Sequence, residues 1–159
     1  MLNINIICIG KLKEKYLKDA ILEYSKRLSR FCKLNILELS DEKIPDKLNN
    51  NIENEIKYKE CTNIINHLKK DSYIIALDLK GKEFTSEKFS EKIENLSMEN
   101  SNLTFIIGGS LGLTDELLNI CNLKICFSKM TFPHQLIRVF LLEQLFRAFK
   151  IQHNESYHK

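Results

Sequence analysis

Five short apolar runs constrain this chain more than anything else in it. They are INIICI (4–9), LNILEL (34–39), YIIAL (73–77), LTFII (103–107) and LKICF (123–127). Each has the length of a buried strand. The segments between them carry helical spacing instead. Lys13 to Arg30 puts Tyr16, Leu17, Ala20, Ile21, Tyr24 and Leu28 on one stripe. A long polar helix is predicted from about Leu48 to Lys70, with Ile52, Ile56, Cys61, Ile64, Ile65 and Leu68 as its apolar positions. Shorter helices are predicted near 86–98 and 114–120, and a last one from Pro133, which suits a first turn, to about Gln152. Alternating strands and helices predict an α/β fold with a mostly parallel sheet. No repeat, low-complexity tract or linker interrupts the pattern, so one domain is expected over 1–159.

In folds of this kind ligands bind beyond the carboxyl ends of the strands. That directs attention to loops 78–84, 108–113 and 128–133. In FIIGGSLGL (105–113), Gly108 and Gly109 follow a strand and Gly112 precedes a helix that Thr114 can cap. Such glycines allow sharp turns and close approach to a ligand. They do not form GxGxxG, and no acid lies about twenty residues on, so the dinucleotide fingerprint is missing. In ALDLKGK (76–82), Leu77 ends a strand, Gly81 is read as a turn, and Asp78 is either turn chemistry or a ligand contact. In FSKMTFPHQLIRVF (127–140), an apolar and hydroxyl-bearing loop precedes the last helix. It suits an adenine held by backbone hydrogen bonds, or a plain connection.

Charge is uneven although the net is only +3. Residues 11–33 carry eight Lys/Arg against three acids, and 129–159 carry five against two. If the two segments meet, they make a face for a polyanion. Five scattered cysteines without CxxC spacing read as reduced core thiols of a cytosolic protein, not as a zinc site or disulfide framework. No signal-peptide layout opens the chain, and the apolar residues of 136–149 are too few and too interrupted for a membrane span.

The last helix has a very broad apolar face: Val139, Leu141, Leu142, Leu145, Phe146, Ala148 and Phe149. Its width exceeds what one small sheet usually covers, which predicts a dimer interface. Arg138 falls within that face and needs a partner or a ligand. Glu143 and Arg147, at i and i+4, read as a surface ion pair. The chain then ends in HNESYHK (153–159), a cluster of titratable groups where a frayed tail is the ordinary expectation.

Together GKLKEKY (10–16), FIIGGSLGL, FSKMTFPHQLIRVFLLEQLFRAFKI (127–151) and the terminal Tyr-His-Lys closely resemble the RlmH family. These are pseudouridine N3-methyltransferases of the ribosomal large subunit, of the SPOUT class. The resemblance spans essentially the whole chain, and the Pro-His-x-x-x-Arg helix start and the Tyr-His-basic end are its most specific parts. It implies an α/β fold with a C-terminal trefoil knot, which periodicity alone would never suggest. It implies a cytoplasmic homodimer that binds S-adenosylmethionine through Leu77, Gly108 and the stretch Phe127, Ser128, Lys129, Met130, Thr131 and Phe132. It also implies a target pseudouridine in helix 69 of 23S rRNA, at the subunit interface of the assembled ribosome.

The residues suit that chemistry. Displacement at a sulfonium methyl is in-line and calls for no metal, so alignment supplies most of the gain. N3 of pseudouridine carries a proton at neutral pH. His158 is the candidate to accept it, Lys159 and Arg147 to stabilise the anion, with Glu143 beside Arg147. Lys11, Lys13, Lys15 and Tyr157 are the candidates for RNA contact. Two other classes stay open at this stage: a nucleotide-binding oxidoreductase and a non-catalytic RNA-binding assembly factor.

Overall fold

The computed structural model describes residues 1–159. In chain order the elements are β1 (Leu2–Ile9), α1 (Lys15–Leu28), β2 (Cys32–Leu39), α2 (Asn50–Asn66), β3 (Tyr73–Glu83), α3 (Ser86–Glu99), β4 (Asn102–Ile107), α4 (Asp115–Ile120), β5 (Leu123–Cys126) and α5 (His134–Gln152). One sheet holds all five strands in the order β2-β1-β4-β3-β5, and every pairing is parallel. The expected strand and helix alternation is therefore present; β1, β2 and β4 are a residue or two longer than their apolar runs, β3 six residues longer and β5 one shorter.

The sheet has a helical layer on each face, as a parallel sheet requires. Strand periodicity sorts β1 between them. Ile4, Ile6 and Cys8 belong to the larger core, with Leu28 of α1, Ile93 of α3 and Leu141 and Leu145 of α5. Ile7 and Ile9 belong to the smaller one, with Cys61 and Ile64 of α2 and Leu117 of α4. At the sheet edge, β2 instead alternates between sheltered and exposed residues. Three helices begin on side-chain caps: Asn49 accepts from the Ile52 N–H, Thr85 from Lys88 and Thr114 from Leu117.

Two expectations are corrected. Gly81 is not a turn; it lies inside β3, which runs on to Glu83. The β3–β5 register shifts between Leu77 and Lys82, and Lys82 and Glu83 then resume pairing with Ile125 and Cys126. A Cβ at Gly81 would lie 2.7 Å from backbone atoms of Ile125 and Lys124. The glycine is there for close approach, and residues 78–81 fall within the register shift.

The second correction concerns α5. Leu141, Leu142, Leu145 and Ala148 are fully buried within the single chain, packed under α1, α3 and the sheet. The width of that face therefore does not call for a second chain. Ser90 lets α3 and α5 approach closely: its hydroxyl donates to the Ala148 carbonyl at 2.8 Å, and the Gln152 amide donates to the Ser90 carbonyl at 3.0 Å.

Candidate active site

The carboxyl ends of β3, β4 and β5 open into one cleft of about 570 Å3. All three loops singled out in the sequence line it. Leu77, Asp78 and Leu79 come from the β3 irregularity, Gly108 to Ser110, Gly112 and Leu113 from the glycine loop, and Phe127, Ser128 and Met130 to Phe132 from the loop after β5. Pro133, His134 and Ile137 of the α5 start close the wall.

Lys129 is the exception among 127–132 and is not on the wall. The Ser128 hydroxyl accepts from the Met130 N–H at 3.0 Å and pins a tight turn, which leaves Lys129 at its exposed tip. At Gly108 a Cβ would lie 2.8 Å from Leu113 Cδ2, so a side chain there would press into the cleft wall. Gly112 has φ +82, a left-handed backbone that favours glycine. Beneath this loop α2 supplies support: Cys61 Sγ accepts from the Thr114 N–H at 3.3 Å, and Glu60 sits under Gly109. Burial pushes the Glu60 carboxyl upward.

Apolar walls and glycines that let a ligand approach the backbone closely suit a flat nucleoside-type ligand, and the volume is of the right size for one. A second cleft of about 360 Å3 shares Ile125, Cys126, Phe127, Ser128 and Phe132 with the first and continues to Phe84, Ser86 and Gln144.

Arg138 has the partner that its burial demands. Its guanidinium donates to Glu38 Oε2 at 2.7 Å and to the carbonyls of Ile9 and Gly10 at 3.1 and 2.8 Å. Glu38 Oε2 also accepts from the Leu12 N–H at 2.8 Å. The helix that walls the cleft is thus tied to the loop after β1. His134, which sequence reading left without a role, faces the cleft from the same helix. Burial, assisted by the Arg138 charge, lowers its pKa below the usual histidine value and keeps it neutral near pH 7.

The chain end is not frayed. Asn154 adopts φ 52, and the Glu155 N–H returns to the Lys150 carbonyl at 3.0 Å, a Schellman-type helix stop. Glu155 then bridges Lys150 and Arg30. The reversal lays Tyr157 edge-on against Phe146, with ring centroids 4.9 Å apart. The supposed surface pair on α5 becomes the centre of a network. Glu143 Oε1 takes Arg147, and Oε2 accepts hydroxyls from Tyr24 at 2.7 Å and Tyr157 at 2.8 Å. Burial alone would raise the Glu143 pKa, but bonds from Tyr24, Tyr157 and Arg147 outweigh it and lower the net value.

His158 is held at both ring nitrogens. Nδ1 lies 3.2 Å from Arg147 Nη1 and Nε2 lies 2.7 Å from Glu87 Oε1. A guanidinium only donates, so Nδ1 accepts and the proton sits on Nε2, toward Glu87. Lys159 remains exposed. Arg147, the tail anchor, is ten residues along α5 from Ile137 of the cleft, about 15 Å at 1.5 Å per residue. Lys11 and Lys13 lie on a separate groove that meets the cleft at Pro133 and His134, while Lys15 is exposed and paired with Asp19.

The family model described as predicted SPOUT methyltransferase matches residues 2–158. The ribosomal RNA large subunit methyltransferase H of Clostridium perfringens strain 13 is 61% identical over 159 residues, 99% of this chain and 100% of that protein. This chain belongs to the SPOUT methyltransferases, within the RlmH family. The proteins of the same name from Clostridium botulinum strain Kyoto and Clostridium acetobutylicum are 59% and 57% identical, again over 99% of this chain and all of theirs. Among solved structures, a methylase family protein from Haemophilus influenzae has TM-score 0.55 at 14% identity, covering 98% of this chain and 70% of its own. A Legionella pneumophila methyltransferase solved with bound SAM has TM-score 0.51 at 12% identity, covering 93% and 66%. At these identities the likeness speaks for the SPOUT fold alone. No helix here is long and apolar enough to cross a membrane.

Proposed function

We propose that this chain transfers a methyl group from S-adenosylmethionine to N3 of a pseudouridine in helix 69 of 23S rRNA, on the assembled ribosome in the cytoplasm. One observation carries the reading: Leu77, Gly108 and most of 127–132 meet around a single cleft, in a chain 61% identical end to end to a ribosomal RNA large subunit methyltransferase H. Leu77, Gly108, Phe127, Ser128 and Met130 to Phe132 would hold the cofactor, which supplies an electrophilic methyl on a sulfonium.

The chain's own residues do the rest. The apolar walls exclude water from the reacting atoms. The tail covers the target nucleotide. His158 exchanges Arg147 for the N3 proton at Nδ1, and the freed Arg147 with Lys159 stabilises the resulting anion. Glu143 holds Arg147 and Tyr157 in place for this exchange. Reacting atoms must approach to about 3–3.5 Å. Along α5 the tail anchor Arg147 lies ten residues, about 15 Å, beyond Ile137 of the cleft wall. We therefore read the working unit as a homodimer in which one chain's tail serves its partner's cleft. The half-buried Val139 and Phe140 and the exposed Phe132 are among the apolar groups available to such an interface. Threading of the C-terminal segment into a knot belongs to the same reading.

Purified protein, radiolabelled S-adenosylmethionine and ribosomes lacking the modification test it. Label on N3 of a helix 69 pseudouridine, located by mass spectrometry, is the expected result. No incorporation, or incorporation elsewhere, overturns it.

A further inference from the structure

A further cavity of about 560 Å3 opens between the start of α1 and the start of α5. One wall is the loop after β1 and the start of α1: Gly10, Lys11, Lys13, Glu14, Tyr16. The other is the first turn of α5, Pro133 to Leu136, with Asp41 at its side. Pro133 and His134 belong to this groove and to the cofactor cleft alike, so the two are continuous.

Three features of the groove point to one kind of occupant. Tyr16 lines the groove and leaves 68% of its surface in solvent. It stands beside two lysines, Lys11 and Lys13. An open aromatic face flanked by cations is what a single-stranded nucleotide needs: a platform for its base and charge for its phosphate. The groove is not uniformly basic, because Glu14 and Asp41 also line it. Those acids oppose a long run of phosphates and suit one nucleotide, with its phosphate on the lysine side.

The loop that carries the lysines is also held still. Gly10 has φ +92, and Arg138, 3% exposed, donates to both the Ile9 and Gly10 carbonyls and pairs with Glu38. A buried ion pair adds little net stability, but its directional bonds fix geometry. Here they set the distance between the two walls of the groove.

We infer that this groove binds an unpaired nucleotide next to the methylated one, its base stacked on Tyr16 and its phosphate on Lys11 and Lys13. The inference rests on the reading of the chain as an rRNA methyltransferase. Tyr16 sits in the exposed first turn of α1, so its replacement does not endanger the fold.

Tyr16→Ala and Tyr16→Phe are compared in ribosome methylation kinetics and in calorimetry with S-adenosylmethionine. Stacking predicts that Tyr16→Ala raises the KM for ribosomes by about 5- to 150-fold. The same variant should keep kcat and cofactor affinity within twofold, and Tyr16→Phe should behave as wild type. Gln135→Trp, which fills the groove from the α5 side, should raise the same KM. A wild-type KM in Tyr16→Ala overturns the inference. So does a Tyr16→Phe variant as defective as Tyr16→Ala, because a hydroxyl contact is not stacking. If wild type itself methylates no ribosome, the functional reading fails first. Cosedimentation of wild type and Tyr16→Ala with ribosomes then decides the groove alone, and equal binding overturns it.

Discussion

The Tyr157 hydroxyl donates to Glu143 Oε2 at 2.8 Å, closing the chain end back onto the last helix. The same oxygen accepts from Tyr24, and Oε1 takes Arg147. One half-buried carboxylate therefore organises the tail, α1 and the arginine beside His158. Glu143→Gln keeps the shape and removes the charge. It should lower stability by about 1–3 kcal/mol, the usual cost of weakening hydrogen bonds to a charged group. It should also cut methylation more than it cuts cofactor affinity. Thermal unfolding, turnover and calorimetry on the one variant check all three. Unchanged stability and turnover would make the network ornamental.

The net lowering of the Glu143 pKa gives a pH dependence of definite sign. Its folded pKa lies below the unfolded value of 4.5. The contact then stabilises the fold above that value and loses its contribution as pH falls through the lower folded one. The Tyr157 ring should stay docked on Phe146 at pH 5 and be released only below about 4.5. Proton NMR of the Tyr157 ring follows this directly. Release already at pH 5–6 would mean that another group holds the tail.

Two glycines should respond differently to an added side chain. Gly108→Val meets the end of the Leu113 side chain, at 2.8 Å, which can swing aside into the cleft. The fold should survive and S-adenosylmethionine affinity should fall at least tenfold. At Gly81 the obstacle is the backbone of β5, at 2.7 Å. Gly81→Ala should instead cost several kcal/mol, beyond the roughly 1–3 of ordinary overpacking, because main chain cannot rotate away. Calorimetry and denaturant unfolding separate the two cases. A foldable, stable Gly81→Ala protein would contradict the close approach of β3 and β5.

These examples show what sequence patterns carry. Strand-length apolar runs located every strand, and the rule that ligands gather at strand ends located the three loops of one cleft. Each of those signals is local. Gly81 was misread because a glycine in a turn and a glycine facing another backbone look the same until β5, more than forty residues away, is placed. The partner of Arg138 lies 100 residues back in the chain, so its burial was legible and Glu38 was not. Helical spacing gave the apolar face of α5 correctly and its coverage wrongly, since α1 and α3 share the burial. The tail read as frayed because no periodicity announces a docked end. Only the left-handed Asn154 and Glu155, pinned between Arg30 and Lys150, turn Tyr157 inward.

The three lysines near the start of α1 differ in setting. Lys11 and Lys13 line the groove, whereas Lys15 is already paired with Asp19 on the exposed helix. If they meet rRNA, neutralising Lys11 and Lys13 should flatten the log–log salt dependence of ribosome binding by roughly 0.7–0.9 per lost phosphate contact. Lys15→Gln should change the slope least. Equal slopes in all three single variants and wild type would return them to plain surface charge.

The last prediction concerns the two halves of the site. Removing Tyr157 to Lys159 deletes a packed ring as well as the titratable groups, so truncation should cost stability and is not the clean test. His158→Ala spares Tyr157 and its bond to Glu143. Cofactor affinity and folding should stay near wild type, while turnover on ribosomes falls about 100-fold or more, the scale of a lost general base. Lys159→Ala should weaken ribosome engagement more than cofactor binding. The separation of tail anchor and cleft along α5 adds a demand on assembly. If one chain's tail serves its partner's cleft, then His158→Ala mixed with Gly108→Val should regain activity in heterodimers, because one of the two sites then has both an intact tail and an intact cleft. Native mass spectrometry shows whether heterodimers form. Heterodimers without regained turnover would place tail and cleft in the same chain, and His158 would then have to leave Arg147 and Glu87 to reach the reacting nitrogen.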